Sequence, residues 1–98
     1  NPIDQALALK KLKDDLNISQ EEIANKVGKS RAQIANLMRL LQLPEDVQHL
    51  VKENKLSAGH ARALLALESK EEMIALANEI ISKGMSVRET EKIVKNKK

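Results

Sequence analysis

The sequence predicts an all-α fold, a compact domain of about seven helices containing a helix-turn-helix. Three observations lead there. Apolar residues recur at helical spacing in most segments. No segment alternates polar and apolar residues over a useful length, and β-branched residues are scattered, so no sheet is expected. Finally, residues that start helices (Asn1, Ser19, Ser30, Ser57, Ser69, Ser86) and glycines that end them (Gly28, Gly84) punctuate the chain at short intervals.

Taken in order, Asn1 and Asp4 around Pro2 open a helix to about Asp15, with Ile3, Leu7, Ala8 and Lys11 or Leu12 at helical spacing. Ser19 and Glu22 form a capping-box pattern for a helix to about Val27, which Gly28 ends. Ser30 and Gln33 repeat that pattern for a helix to about Leu41. Pro44 starts the next, to about Glu53, on an apolar stripe of Val47, Leu50 and Val51. Ser57 opens a short helix through about Leu67. Ser69 and Glu72 open one that Gly84 terminates, with Met73, Leu76, Ala77 and Ile80 at helical spacing. Ser86 and Glu89 open the last, which runs into a basic tail. Short connections predict a single domain over residues 1–98, with a lobe of residues 1–43 holding the helix-turn-helix at 20–41 and a supporting lobe of residues 44–98.

Composition narrows the function. Hydrophobic residues are 42% of the chain and charged residues 32%, enough apolar material for a core and too polar for a membrane protein. No signal-peptide pattern is present, and the absence of an initiator Met points to an excised fragment. With no Cys, disulfides are excluded, which suits a cytoplasmic location. The chain has no Phe, Tyr or Trp. Single strands and RNA loops are held chiefly by stacking bases on aromatic rings, so a nucleic-acid partner should be duplex DNA read through its grooves. The net charge of +3 is concentrated in two regions. Residues 19–43 carry Lys26, Lys29, Arg31 and Arg39 against Glu21 and Glu22, and residues 86–98 carry Arg88, Lys92, Lys95, Lys97 and Lys98 against Glu89 and Glu91. Either region could contact phosphates.

The segment Gln20–Leu37, QEEIANKVGKSRAQIANL, carries the strongest signal. Ile23, Val27, Ile34 and Leu37 are placed to meet between two crossing helices, and Ala24 sits where a larger side chain would force them apart. Gly28 falls at the tight turn, where a positive φ is expected. The second helix begins with a cation, and a recognition helix presents its N-terminal residues to base edges in the major groove. Arg31 suits guanine, Gln33 or Asn36 suits adenine, and Ala32 leaves room for a thymine methyl. Gln20, Lys29 and Ser30 lie near the turn, placed to fix register on phosphates. The plainer alternative is a helical hairpin in which Ala24 only packs, Gly28 only caps, and Arg31 and Arg39 are solvated.

GKSRAQIANLMRLLQLPEDV, followed by KLSAGHARALLAL and then GMSVRETEKIV, resembles the ParB family of chromosome and plasmid partition proteins, and the likeness runs from NPID to the last helix. It implies the central helix-turn-helix domain, which binds a palindromic centromere-like DNA site as part of a homodimer. In that family a preceding domain binds CTP through an arginine-rich motif and a following domain dimerises, so no cofactor and no catalytic residue is assigned to this segment. A ParA-type ATPase and condensin are the further partners the resemblance implies, with a nucleoid-associated location. It points to Ser30, Arg31, Gln33 and Asn36 as groove-facing residues and adds Gly59, His60 and Arg62 as a second region near DNA. Nucleoid-occlusion proteins (Noc) resemble the same domain but tend to carry a basic residue where this chain has Gly59; Gly59 and Arg31 favour the partition branch. Leu37 departs from the smaller, partly polar residue common in relatives, which bears on site preference.

Other chemistries fare poorly. His60 also fits a helix-capping position three residues after Ser57, and capping stands beside DNA proximity as its reading. His49 and His60 have no partner at ligand spacing, so no metal is expected. Glu21-Glu22, Glu45-Asp46 and Glu71-Glu72 each fall in a first helical turn, where the helix dipole favours anions. Gly28-Lys29-Ser30 lacks the upstream glycine and strand of a phosphate-binding loop. The lysine tail could be a phosphate arm, a solvated helix end or the lead into a linker. A DNA-binding transcriptional regulator and a helical protein-interaction adaptor remain the alternatives to partition.

Overall fold

The computed structural model describes residues 1–97. Among them it contains seven α-helices and no strand: α1 (Pro2–Leu16), α2 (Gln20–Val27), α3 (Arg31–Arg39), α4 (Glu45–Lys52), α5 (Ala58–Leu64), α6 (Lys70–Lys83) and α7 (Val87–Lys97). A 3-10 turn, Leu40–Gln42, follows α3.

Local capping sets most of these boundaries. The hydroxyls of Ser19, Ser30, Ser57, Ser69 and Ser86 accept from the backbone N–H three residues on, at 3.1–3.2 Å. Each bond satisfies a donor that the first helical turn would otherwise leave free. Glu22, Gln33, His60 and Glu89 return the bond to the backbone N–H of the capping serine. Asn1 caps α1 through Asp4. Gly28 (φ 72°) and Gly84 (φ 63°) end α2 and α6 in the left-handed conformation that glycine adopts without a Cβ penalty. No helix is long and apolar enough to cross a membrane.

Two buried clusters hold the helices together. The smaller contains Leu9, Ile23, Ala24 and Ile34, with Ile18, Leu37 and Met38 packed against it. The larger runs from Ile3, Leu40 and Leu43 through Val47, Val51, Ala61 and Leu64 to Leu76, Ile80 and Val94. Leu37 touches both clusters, so α3 is pinned at the seam between them. Ile3 on α1, together with Leu40 and Leu43, carries the helix-turn-helix side of the chain into the larger core.

Four sequence expectations need correction, the first being the helix after Ser57, which ends at Leu64 rather than near Leu67. In α1 the buried side is Ile3, Ala6 and Leu9, whereas Leu7 is 44% exposed and Leu12 39% exposed. Val27 is 37% exposed rather than part of the small core, where Leu9 from α1 takes the place expected of it. The helix after Ser30 stops at Arg39, not near Leu41, because the chain tightens into the 3-10 turn that delivers Leu40 and Leu43 to the larger core.

Candidate nucleic-acid interface

The turn between α2 and α3 is three residues long, Gly28 to Ser30, all exposed. Ala24 is 2% exposed at the close approach of the two helices, and Ile23 and Ile34 are fully buried. With one side of α3 committed in this way, the other is displayed. Arg31, Ala32, Gln33 and Arg39 are exposed and Asn36 is half-buried. Ala32, Asn36 and Arg39 follow the spacing that places residues on one stripe of a helix, opposite Ile34. No acidic residue lies in the first turn of α3, and its N-terminus combines the positive end of the helix dipole with Arg31.

The structure also draws α5 and α1 to this face. A concavity of about 250 Å³ is lined by Gln5 of α1, Lys29 of the turn, Gln33, Asn36 and Leu37 of α3, Leu40, and Ala58 and Arg62 of α5. Lys29, Gln33, Asn36 and Arg62, expected in two separate DNA-proximal regions, therefore meet at one surface. Gln5 joins them and was not anticipated; a polar residue on an exposed helical flank has no sequence feature that marks it.

Other expected site residues lie elsewhere. Gln20 is half-buried and lines a separate concavity with Lys10, Lys13, Asp14, Met38, Leu41 and Gln42. Gly59 faces α7: a Cβ built on it would stand 3.0 Å from one methyl of Val87 and 3.3 Å from the other. His60 is engaged at both ring nitrogens. Its Nε2 lies 2.8 Å from the carbonyl oxygen of Met85, and Nδ1 pairs with the hydroxyl and N–H of Ser57. Since a carbonyl only accepts, Nε2 is the protonated nitrogen and Nδ1 the acceptor. Capping and bracing, the plainer of the two readings of His60, account for its whole hydrogen-bonding capacity. Gln33 is partly committed as well, because its Oε1 accepts from the N–H of Ser30 at 2.9 Å and only Nε2 remains to donate outward. Among the described residues, no group of three or more His, Cys, Asp or Glu side chains could hold a metal ion. Lys98, part of the basic tail, lies outside the described residues.

A short capped helix packed across its neighbour through an alanine and a glycine turn, with an exposed cationic first turn, defines a helix-turn-helix module on a helical platform. Residues 1–98 match the ParB HTH domain in full, and the chain belongs to that family. It is 49% identical over 96 residues to a probable chromosome-partitioning protein ParB of Coxiella burnetii, covering 98% of this chain and 33% of the relative. A nucleoid occlusion protein of Listeria monocytogenes is 48% identical over 90 residues, covering 92% of this chain and 31% of that protein. The chain thus spans about a third of the length of these curated relatives. The crystal structure of the DNA-binding domain of a chromosome-partitioning protein ParB, complexed to the centromeric parS site, superposes with a TM-score of 0.88 at 45% identity, covering 97% of this chain and 76% of that one.

Proposed function

We propose that residues 1–98 form one sequence-specific double-stranded-DNA-binding unit that recognises a palindromic centromere-like site in chromosome or plasmid segregation. The observation that carries this reading is the first turn of α3: capped, free of acidic residues and exposed, it presents Arg31 and Ala32 beside Lys29. Arg31 pairs with a guanine edge, Ala32 packs on a thymine methyl, and Lys29 and Arg62 neutralise phosphates. The structural relative was crystallised with the centromeric parS site, which supports duplex DNA as the ligand of this fold. The unit acts in a two-fold dimer on its palindrome, needs no cofactor or catalytic residue from this segment, and works at the nucleoid with a ParA-type ATPase and condensin as partners of the whole protein.

Overall identity does not separate partition from nucleoid occlusion, since relatives of both kinds lie near 48%. Arg31 and Gly59 favour partition through the family resemblance.

Fluorescence anisotropy against a parS duplex and a scrambled duplex tests the proposal. The chain should prefer parS, and binding to both should weaken steeply with salt. Arg31→Ala should reduce the preference by about ten- to a hundredfold, the equivalent of one bidentate base contact. Lys29→Ala should weaken both duplexes alike and lower the salt slope by about one. Equal affinity of the unaltered chain for the two duplexes would sink the reading, and salt-insensitive binding would move the chain to the adaptor class.

A further inference from the structure

The concavity between α1, α3 and α5 is built for an anion. Its polar lining consists of two cations, Lys29 and Arg62, and three carboxamides, Gln5, Gln33 and Asn36, with no carboxylate among them. Its apolar lining is Leu37, Leu40 and Ala58. Gln33 already spends one lone pair of Oε1 on the Ser30 N–H, which ties the carboxamide to the cap and disfavours a bidentate pair with an adenine edge, and the residue lines the concavity with its Nε2 amide as a donor group. Lys29 precedes the cap of α3 and Arg62 stands on α5, so the positive charges come from two separate elements and converge from two sides. Cations and amide donors around one hollow recognise phosphate oxygens, by charge and by N–H donation.

Resting on the DNA-binding reading above, we propose that this concavity seats one backbone phosphate of the bound duplex, with Gln5 of α1 and Nε2 of Gln33 as neutral donors beside Lys29 and Arg62. The seat divides labour along α3. Arg31 and Ala32 read bases, whereas Gln33 fixes register and contributes no sequence preference. It also gives α1, outside the helix-turn-helix, a direct part in holding the duplex. Gln5 is exposed, so its replacement leaves the packing of α1 through Ile3, Ala6 and Leu9 intact.

The test uses the whole chain with parS and scrambled duplexes at fixed ionic strength. Gln5→Ala should weaken binding to both by a similar factor, about three- to tenfold, the loss of one hydrogen bond to a charged oxygen at a solvated site. Gln5→Glu keeps the shape and adds a negative charge, so its loss should exceed that of Gln5→Ala on both duplexes, with the ratio between them unchanged. Circular dichroism of both variants should match the parent. Wild-type affinities from Gln5→Glu would overturn the proposal, and so would a loss confined to parS, which would make Gln5 a base reader. The source of the phosphate is separated by following the Gln5 side-chain amide by NMR. The duplex must shift it; a shift produced by inorganic phosphate at matched ionic strength and not by duplex would assign a free-anion pocket instead and overturn the seat. A chain that binds both duplexes equally while still responding to Gln5→Glu would remove the partition-site reading and leave the seat standing.

Discussion

Two helices of this chain begin in the same way and end up doing opposite things. α3 and α5 each start on a serine whose hydroxyl caps the N–H three residues later and whose own N–H donates to the side chain of that residue, Gln33 in one and His60 in the other. What differs is the free end of the returning side chain. Gln33 lines the open concavity, whereas His60 spends its second nitrogen on the Met85 carbonyl and ties α5 to the turn before α7. The neighbouring residues follow suit: Arg31 and Ala32 lie exposed after Ser30, while Gly59 is overlaid by Val87 after Ser57. One local device thus serves an exposed helix end in the first case and a joint in the second.

The largest expected separation between the two helices comes from truncating the returning side chain. His60→Ala removes the bond to Ser57 and strips the Met85 carbonyl of its partner; Met85 itself is 9% exposed. It should cost about 1–3 kcal/mol, the usual penalty for a lost cap together with an unsatisfied acceptor. Gln33→Ala removes one exposed bond and should cost about 0.5 kcal/mol. Urea denaturation of the two variants checks this, and equal losses would mean that the contact to Met85 adds nothing. On DNA the order should reverse: Gln33→Ala lowers affinity for every duplex, while His60→Ala, if folded, binds near the parent level.

Gly59 sharpens the same contrast. Ordinarily Gly→Ala within a helix is stabilising by about 1 kcal/mol. Here the added methyl would meet Val87 at 3.0 Å, and the χ1 angle of a β-branched residue has little freedom to yield. Gly59→Ala should therefore fail to stabilise, with a loss of about 1 kcal/mol where α5 and α7 must separate. Val87→Ala alone is mildly destabilising, but added to Gly59→Ala it should recover most of the loss. Thermal melts in a double-mutant cycle measure that coupling, and additive effects would show that the two residues do not interact. A basic side chain at residue 59 would need the same accommodation, which ties any change at this position to the placement of α7.

Most helix starts were legible because a cap is written in four consecutive residues and its bonds close locally. Gly28 and Gly84 were legible for the same reason. The buried side of α1 was not. Leu7 and Leu12 offered a helical stripe as good as Ala6 and Leu9, and the choice was made by α3 and α4 packing against α1, far away in sequence. Val27 was misplaced because Leu9 arrives from α1 to fill the small core. For the candidate site, the exposed end of α3 followed from its cap and its charge. That Arg62 should share a hollow with Lys29, or that Gln5 should join them, depends on how α5 and α1 cross α3. His60 was ambiguous because its capping role is local, whereas its bond to Met85 spans 25 residues.

The smallest predicted effect concerns a third cap, on α7. Glu89 accepts from the Ser86 N–H at 3.1 Å, and that backbone bond, followed by the bond with the Ser86 side chain, holds its carboxyl below the usual carboxylate range. A carboxylate whose pKa is lower in the folded chain stabilises the fold above its unfolded value, and that contribution is lost as pH falls through the folded value. The cap on α7 should therefore be intact at neutral pH and released in acid, below the ordinary titration range of glutamate. Gln33 carries no titratable group, so the equivalent bond on α3 should persist through the same interval. Amide NMR of Ser86 and Ser30 in one acid titration gives the comparison directly: the Ser86 N–H should shift with the Glu89 carboxyl while Ser30 stays put. Parallel movement of the two would mean that the N-termini respond to general loosening of the fold, and the carboxylate cap would lose its assigned part in holding the first turn of α7 beside Gly59.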